Sequence, residues 1–185
     1  MDLSVNFMGL QLKNPIMVAS SPLTRNGEAM KKAIEAGAGA VITETITSEI
    51  RRSVKPCLAS NEFGMQNIYF FSEYALEDWE YEIEQAKDCG GTVIANIVAY
   101  SASEMAYIAK RVEKFGADAV ELCLSTPYGD GIEVLASEPE KVYEFVDEVV
   151  KAVEIPVMVK LSPSVNNVAK LAKAAEKAGA AAISG

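Results

Sequence analysis

Six short apolar runs rich in β-branched residues alternate strictly with five segments of helical period along 185 residues, and that alternation predicts a parallel α/β fold. A helix-Gly-Ala-strand phrase recurs as GAGAVIT at Gly37, GADAVEL at Gly116 and GAAAISG at Gly179, so one βα unit repeats at variable spacing. No G-x-G-x-x-G follows the first strand, which weighs against an open dinucleotide-binding sheet. The expectation is a (β/α)8 barrel, of which the chain supplies about the first six strands.

The first strand is Asn14 to Ser20, NPIMVAS, an apolar run between an Asn-Pro signal and a Ser-Ser-Pro turn. Asn26 or Gly27 opens a helix through Ala36 that Gly37 closes. Ala40 to Thr47, AVITETIT, is the second strand. From Ser48 to Ser72 no period is visible, and the stretch holds Phe63, Tyr69, Phe70 and Phe71; a loop this long inside a compact domain reads as an active-site insertion. A helix from Tyr74 to Cys89 ends at Gly90-Gly91.

Strict alternation follows: strand Thr92 to Val98, helix Ser101 to Phe115, strand Ala117 to Leu124, helix Glu138 to Val153, strand Val157 to Leu161, helix Asn166 to Ala178, strand Ala180 to Ser184. Ser101 and Glu104 have capping-box spacing, and Pro139 sits in a first turn. Residues 1–185 read as one barrel domain. Set against the barrel's usual ~250 residues, its ending after the sixth strand reads as a fragment with two unpaired strand edges.

Composition narrows the function. Seventeen basic against 26 acidic residues, a formal net charge of −9, argue against nucleic acid or an anionic membrane as partner. Cys57, Cys89 and Cys123 are odd in number and widely spaced, which suggests neither a disulfide framework nor a metal site and fits a reducing cytoplasm. No apolar run approaches the roughly 18 residues that span a bilayer. Histidine is absent, which removes any Ser-His triad.

In a parallel barrel the residues just past each strand share one mouth, where chemistry is done. Those positions hold Ser20 and Ser21, Glu44 to Thr47, Asn96, Cys123 to Tyr128 within the stretch ELCLSTPYGDG, and Lys160 to Pro163. Lys160 ends an apolar run, so it is a cation aimed at an anion or electron-rich ring, a Schiff-base nucleophile, or a lysine snorkelling at the strand edge. Asn96, inside IANIV, needs a partner, either structural or a ligand. Asn67 suits a turn as well as a ligand, and Cys123 suits a buried apolar position.

The set NPIMVAS, GAGAVITETIT, Gly64-Met65-Gln66-Asn67, VIANIVAYS, ELCLSTPYGDG and IPVMVKLSP resembles the dihydroorotate dehydrogenase group, including the related barrel of dihydropyrimidine dehydrogenases. The resemblance covers Leu3 to Gly185. It implies a (β/α)8 barrel with FMN at the C-terminal mouth and hydride transfer between flavin and a pyrimidine-like ring. By position, Ala19 and Ser20 resemble backbone contacts to the flavin, and Glu44, Asn96 and Cys123 occupy further cofactor-contact positions. Lys160 resembles the lysine facing the flavin's N1/O2 edge, whose charge steadies the electron-rich reduced ring. Asn67, Cys123 and Tyr128 fall at substrate positions. The implied partners are a small-molecule substrate and, at full length, a second copy of the chain. The flavin phosphate would lie on loops after the last two barrel strands.

Four positions depart from the family's pattern. Glu44 stands where the family usually has lysine, Cys123 and Tyr128 stand for two substrate-binding asparagines, and Thr126 stands for the acid–base cysteine. A carboxylate at Glu44 repels a carboxylate substrate such as orotate, whose binding relies on charge-assisted hydrogen bonds. The leading expectation is therefore an FMN-dependent oxidoreductase with an altered substrate pocket, Lys160 supporting the flavin and Thr126 or Tyr128 serving proton transfer. The alternatives are a flavin-free lyase or aldolase using Lys160 as a Schiff base, and a degenerate binding or assembly subunit.

Overall fold

The computed structural model describes residues 1–50, 52–67, 69–124, 137–163, 165 and 167–185. Six parallel strands form one sheet: β3 (Met17–Val18), β4 (Ala40–Ile42), β7 (Val93–Ile97), β8 (Ala119–Cys123), β9 (Val157–Lys160) and β10 (Ala182–Ser184). Their spatial order follows chain order without reversal. An open doubly wound sheet reverses direction at a switch point, whereas a barrel does not. The order observed is the barrel's.

Each strand sorts its side chains by alternation. In β7, Val93, Ala95 and Ile97 join the core packed by α1 (Gly27–Glu35), α2 (Trp79–Asp88), α3 (Ala102–Lys114), α4 (Pro139–Val150) and α5 (Val168–Lys177). Ile94 faces the other way, into a second cluster with Leu12, Ala40, Ile42, Ala119 and Met158. That second cluster is closed by an antiparallel hairpin, β1 (Val5–Phe7) and β2 (Leu10–Leu12), whose Val5, Phe7 and Leu10 pack against it. The hairpin plugs the barrel interior at the strands' N-terminal end.

The expected strands are all present, but shorter. The first run, Asn14 to Ser20, pairs only at Met17 and Val18, and the second ends at Ile42, with one further bridge from Ile46 to Ile97. The expected helix from Tyr74 begins as a 3-10 turn, Leu76–Asp78, and becomes α-helical at Trp79. Between Ser48 and Ser72 lies an unexpected hairpin, β5 (Leu58–Asn61) and β6 (Gly64–Asn67). Every one of its residues is exposed, so no buried face exists to imprint an alternating pattern.

The Gly-Ala phrases owe their glycines to helix endings. Gly37, Gly116 and Gly179 adopt φ of 107°, 94° and 98°, the left-handed region in which a helix turns out into the next strand. Gly39 is different: a Cβ there would lie 2.1 Å from the Asn14 carbonyl oxygen. In the first phrase it is Gly39, not Gly37, that a close backbone approach requires. Capping follows the sequence at Asn26, whose side chain accepts from Ala29 N, and at Ser101, which accepts from Glu104 N. The Glu104 carboxylate turns to Tyr100 N and Ser48 Oγ.

Candidate active site

The C-terminal ends of the strands open into a cleft of about 260 Å³. Its walls bring together Ser20, Glu44, Asn67, Cys123 and Lys160, five residues singled out from the sequence, and add Tyr69 among the aromatics of the long loop. Ala19, exposed beside Ser20, does not line it, and Asn96 lies beneath it. Thr126 and Tyr128 lie outside the described residues.

Lys160 reaches the mouth because it ends β9 after three buried residues, and it is in register with Cys123 on β8 and Ser184 on β10. It is half-buried and, among the described residues, forms no ion pair. A cation held so at a strand's C-terminal end is available to an electron-rich or anionic ligand. Ser20 sits across the mouth, its hydroxyl 3.3 Å from that of Thr45.

Glu44 is only 4% exposed. The Tyr69 hydroxyl donates to its Oε1 at 2.6 Å, and the Ser72 hydroxyl donates to the same carboxylate. Ser72 is oriented for this, since its oxygen already accepts from Trp79 Nε1 and Tyr74 N. Burial raises the Glu44 carboxyl above its ordinary pKa of 4.5, and the two hydroxyl donors pull in the opposite direction. The Tyr69 phenol is pushed up as well, first by burial and then by the carboxylate it faces, so it remains a donor. Asn67 directs this arrangement from the hairpin: its Oδ1 accepts from Tyr69 N at 2.9 Å. Asn67 ends β6 and is not in the left-handed turn conformation foreseen as one possibility; it lines the cleft.

Beneath the cleft lies a polar group that sequence reasoning found only in part. Asn96 is fully buried, and its Nδ2 donates to Glu121 Oε2 at 2.5 Å. The Ser184 hydroxyl donates to Glu121 Oε1 at 2.6 Å. Among the described residues Asn96 Oδ1 has no hydrogen-bond partner, a buried acceptor left open. Glu121 and Ser184 were detectable: each is polar within an apolar strand, as Asn96 is, and Glu121 is the register partner of Asn96. Tyr69 carried no such signal, because its role arises from a fold-back of an aperiodic loop.

Comparisons with known proteins agree with this architecture. The chain matches the family described as dihydroorotate dehydrogenase over residues 2–185. It is 40% identical over 182 residues to the protein of Thermoplasma volcanium called "Dihydroorotate dehydrogenase B (NAD(+)), catalytic subunit", covering 97% of this chain and 60% of that one. The like-named protein of Pyrococcus abyssi is 35% identical over 185 residues, covering 98% of this chain and 61% of its relative. This chain thus spans about 60% of the length of the curated relatives it matches.

Among solved structures it resembles an HMG-CoA lyase from Brucella melitensis (TM-score 0.62, 13% identity, 93% of this chain and 56% of that one). It also resembles the carboxyl transferase domain of Rhizobium etli pyruvate carboxylase (TM-score 0.58, 14% identity, 84% of this chain and 22% of that one). At such identity the two share the fold alone, and that fold is the (β/α)8 barrel. From a family match that runs nearly end to end, and from relatives of 35% to 40% identity, the chain belongs to the dihydroorotate dehydrogenase family.

Proposed function

We propose that this chain forms the flavin- and substrate-facing part of an FMN-dependent oxidoreductase acting on a CH–CH bond of a small, dihydropyrimidine-like ring. The observation that carries the reading is the pairing, at one mouth, of Lys160, which forms no ion pair among the described residues, with a buried open acceptor, Asn96 Oδ1, beneath it. An isoalloxazine ring needs both: a cation for the edge that gathers negative charge, and an acceptor for its ring N–H. The residues present therefore fit FMN. When bound, it supplies the hydride chemistry; Lys160 stabilises charge, Asn96 accepts, and Ser20 and Ala19 offer backbone at the rim. Thr126, or Tyr128 as a donor, is the proposed proton handler.

Glu44 sets the substrate apart. A buried carboxylate on the cleft wall, already carrying two hydroxyl donors, disfavours a carboxylated ring such as orotate and tolerates a neutral one. The relatives' designations as catalytic subunits, with NAD(+) in their names, support a partner subunit that passes electrons onward. Association into a homodimer and a cytoplasmic location complete the reading; among the described residues no helix is long and apolar enough to cross a membrane.

Lumiflavin tests the ring site separately from any phosphate site, because it lacks the phosphate. Titrating the chain into lumiflavin and FMN is expected to quench the fluorescence of both. Unquenched lumiflavin overturns the reading. With lumiflavin bound, neutral dihydropyrimidines are expected to perturb the flavin absorbance while dihydroorotate does not, and the reverse order overturns the role given to Glu44.

A further inference from the structure

Glu121 is 1% exposed and, among the described residues, no lysine or arginine pairs with it; it receives hydrogen bonds from Asn96 and Ser184. A buried carboxylate without a counter-cation is expensive, so two neutral donors are thin compensation. What the carboxylate does supply is direction. A side-chain amide presents a donor on one side and an acceptor on the other, and little but its neighbours decides which faces where. Both Glu121 oxygens accept here, Oε2 from the NH2 of Asn96 and Oε1 from the Ser184 hydroxyl, so the amide oxygen of Asn96 faces away. That oxygen is the buried acceptor without a partner.

Register makes the arrangement rigid. Asn96 and Glu121 sit directly opposite each other on β7 and β8. The backbone around Asn96 is fixed further, its N–H donating to Thr43 Oγ1 and its carbonyl accepting from Ile46 N. Glu121 then reaches from β8 past β9 to Ser184 on β10, tying three strands of the interior into one polar layer below Lys160.

We infer that Glu121 is a positioning residue that locks the Asn96 amide with its oxygen toward the ligand, so that the site selects a ring presenting an N–H donor. The inference rests on the flavin reading, since the oxidised isoalloxazine carries a single ring N–H, at N3. Glu121 touches no ligand; it acts through Asn96.

The test compares lumiflavin with 3-methyllumiflavin, which lacks that N–H, on the unaltered chain and on Glu121→Gln. The unaltered chain is expected to bind lumiflavin on the order of 10-fold tighter, since methylation leaves the buried acceptor unmet. Glutamine accepts or donates, so Glu121→Gln frees the amide to turn; lumiflavin weakens while the methylated ligand does not, and the ratio contracts several-fold. An equal weakening of both ligands, or an unchanged ratio, overturns the inference and leaves the flavin reading standing. Binding of neither ligand by the unaltered chain overturns both. Side-chain amide NMR of the ligand-free chain gives an independent readout: the two Asn96 Nδ2 protons are expected to be widely separated, and to converge in Glu121→Gln against an otherwise unchanged spectrum. Equal separation in both proteins overturns the lock.

Discussion

Ile94 and Asn96 are two residues apart on β7, point to the same side of the sheet and are both fully buried, yet they belong to different worlds. Ile94 lies in the apolar plug with Leu12, Ala119 and Met158, at the end of the barrel that the N-terminal hairpin closes. Asn96 begins the polar layer that leads through Glu121 and Ser184 up to Lys160, Glu44 and the cleft. A single pleat repeat, about 7 Å along the strand, separates an apolar region from one in which, among the described residues, an acceptor is unmet and a cation unpaired. The lower half is built for stability and the upper half for a ligand, which is how barrels divide the labour between their two ends.

The largest effect is expected where that division is broken from below. Ile94→Ala removes a fully buried side chain from the plug and should destabilise the chain by about 2–5 kcal/mol, with the cavity adding to the lost transfer energy. Urea unfolding measures this. A loss below about 1 kcal/mol would mean that the hairpin collapses onto the gap and that the plug is less closely packed than it looks.

Lys160→Ala should do the converse. The lysine is half-buried and forms no ion pair among the described residues, so its loss is expected to leave stability within about 1 kcal/mol while weakening lumiflavin by roughly 10- to 100-fold, the range of a charge-assisted hydrogen bond. Stability and flavin titration on the same preparation decide it. If stability falls and lumiflavin binding holds, the assignment of the two ends is inverted. Trapping of a carbonyl compound on Lys160 by borohydride would instead favour Schiff-base chemistry.

Next in size is Tyr69→Phe. Removing the phenol takes one donor from the buried Glu44 and should destabilise the chain by about 1–3 kcal/mol at neutral pH, the cost of leaving a buried acceptor short of a partner. Denaturant melts check the value, and no change at all would show that water or another hydroxyl replaces the phenol.

The two ends also differ in how much of them the sequence revealed. The plug side was legible through period: β-branched runs, Gly-closed helices and strand order all report burial, and burial leaves a pattern. Only the β1–β2 hairpin escaped, because its turn uses Met8 at φ 54° ahead of Gly9 in place of a recognisable Asn-Gly or Asp-Gly pair. At the mouth, the positions just past the strands found Ser20, Glu44, Cys123 and Lys160, since strand ends can be located without knowing what the loops do. Partners could not be found that way. Tyr69 meets Glu44 across 25 residues through a loop with no period, and the polar layer depends on β7–β8 register, which no local pattern encodes. Thr126 and Tyr128 lie in a segment outside the described residues.

The smallest expected effect is a change of slope with pH, and it bears on why Glu44 can be tolerated on the cleft wall at all. Burial raises its folded pKa above the ordinary 4.5, and the donors from Tyr69 and Ser72 offset this only in part. A carboxyl whose folded pKa is raised binds its proton more tightly folded than unfolded. Its contribution to stability is fully present below the unfolded value and is lost as pH rises through the folded one. Protonated Glu44 and a glutamine are both neutral, so Glu44→Gln should track the unaltered chain in acid. Above pH 4.5 the stability difference should drift in favour of the variant, then level off once Glu44 is ionised in the folded chain. Urea unfolding of both proteins from about pH 4 to about pH 8 measures the drift. A difference that moves the opposite way would mean that the two hydroxyls outweigh burial, making Glu44 a comfortable carboxylate and strengthening its hold against anionic rings.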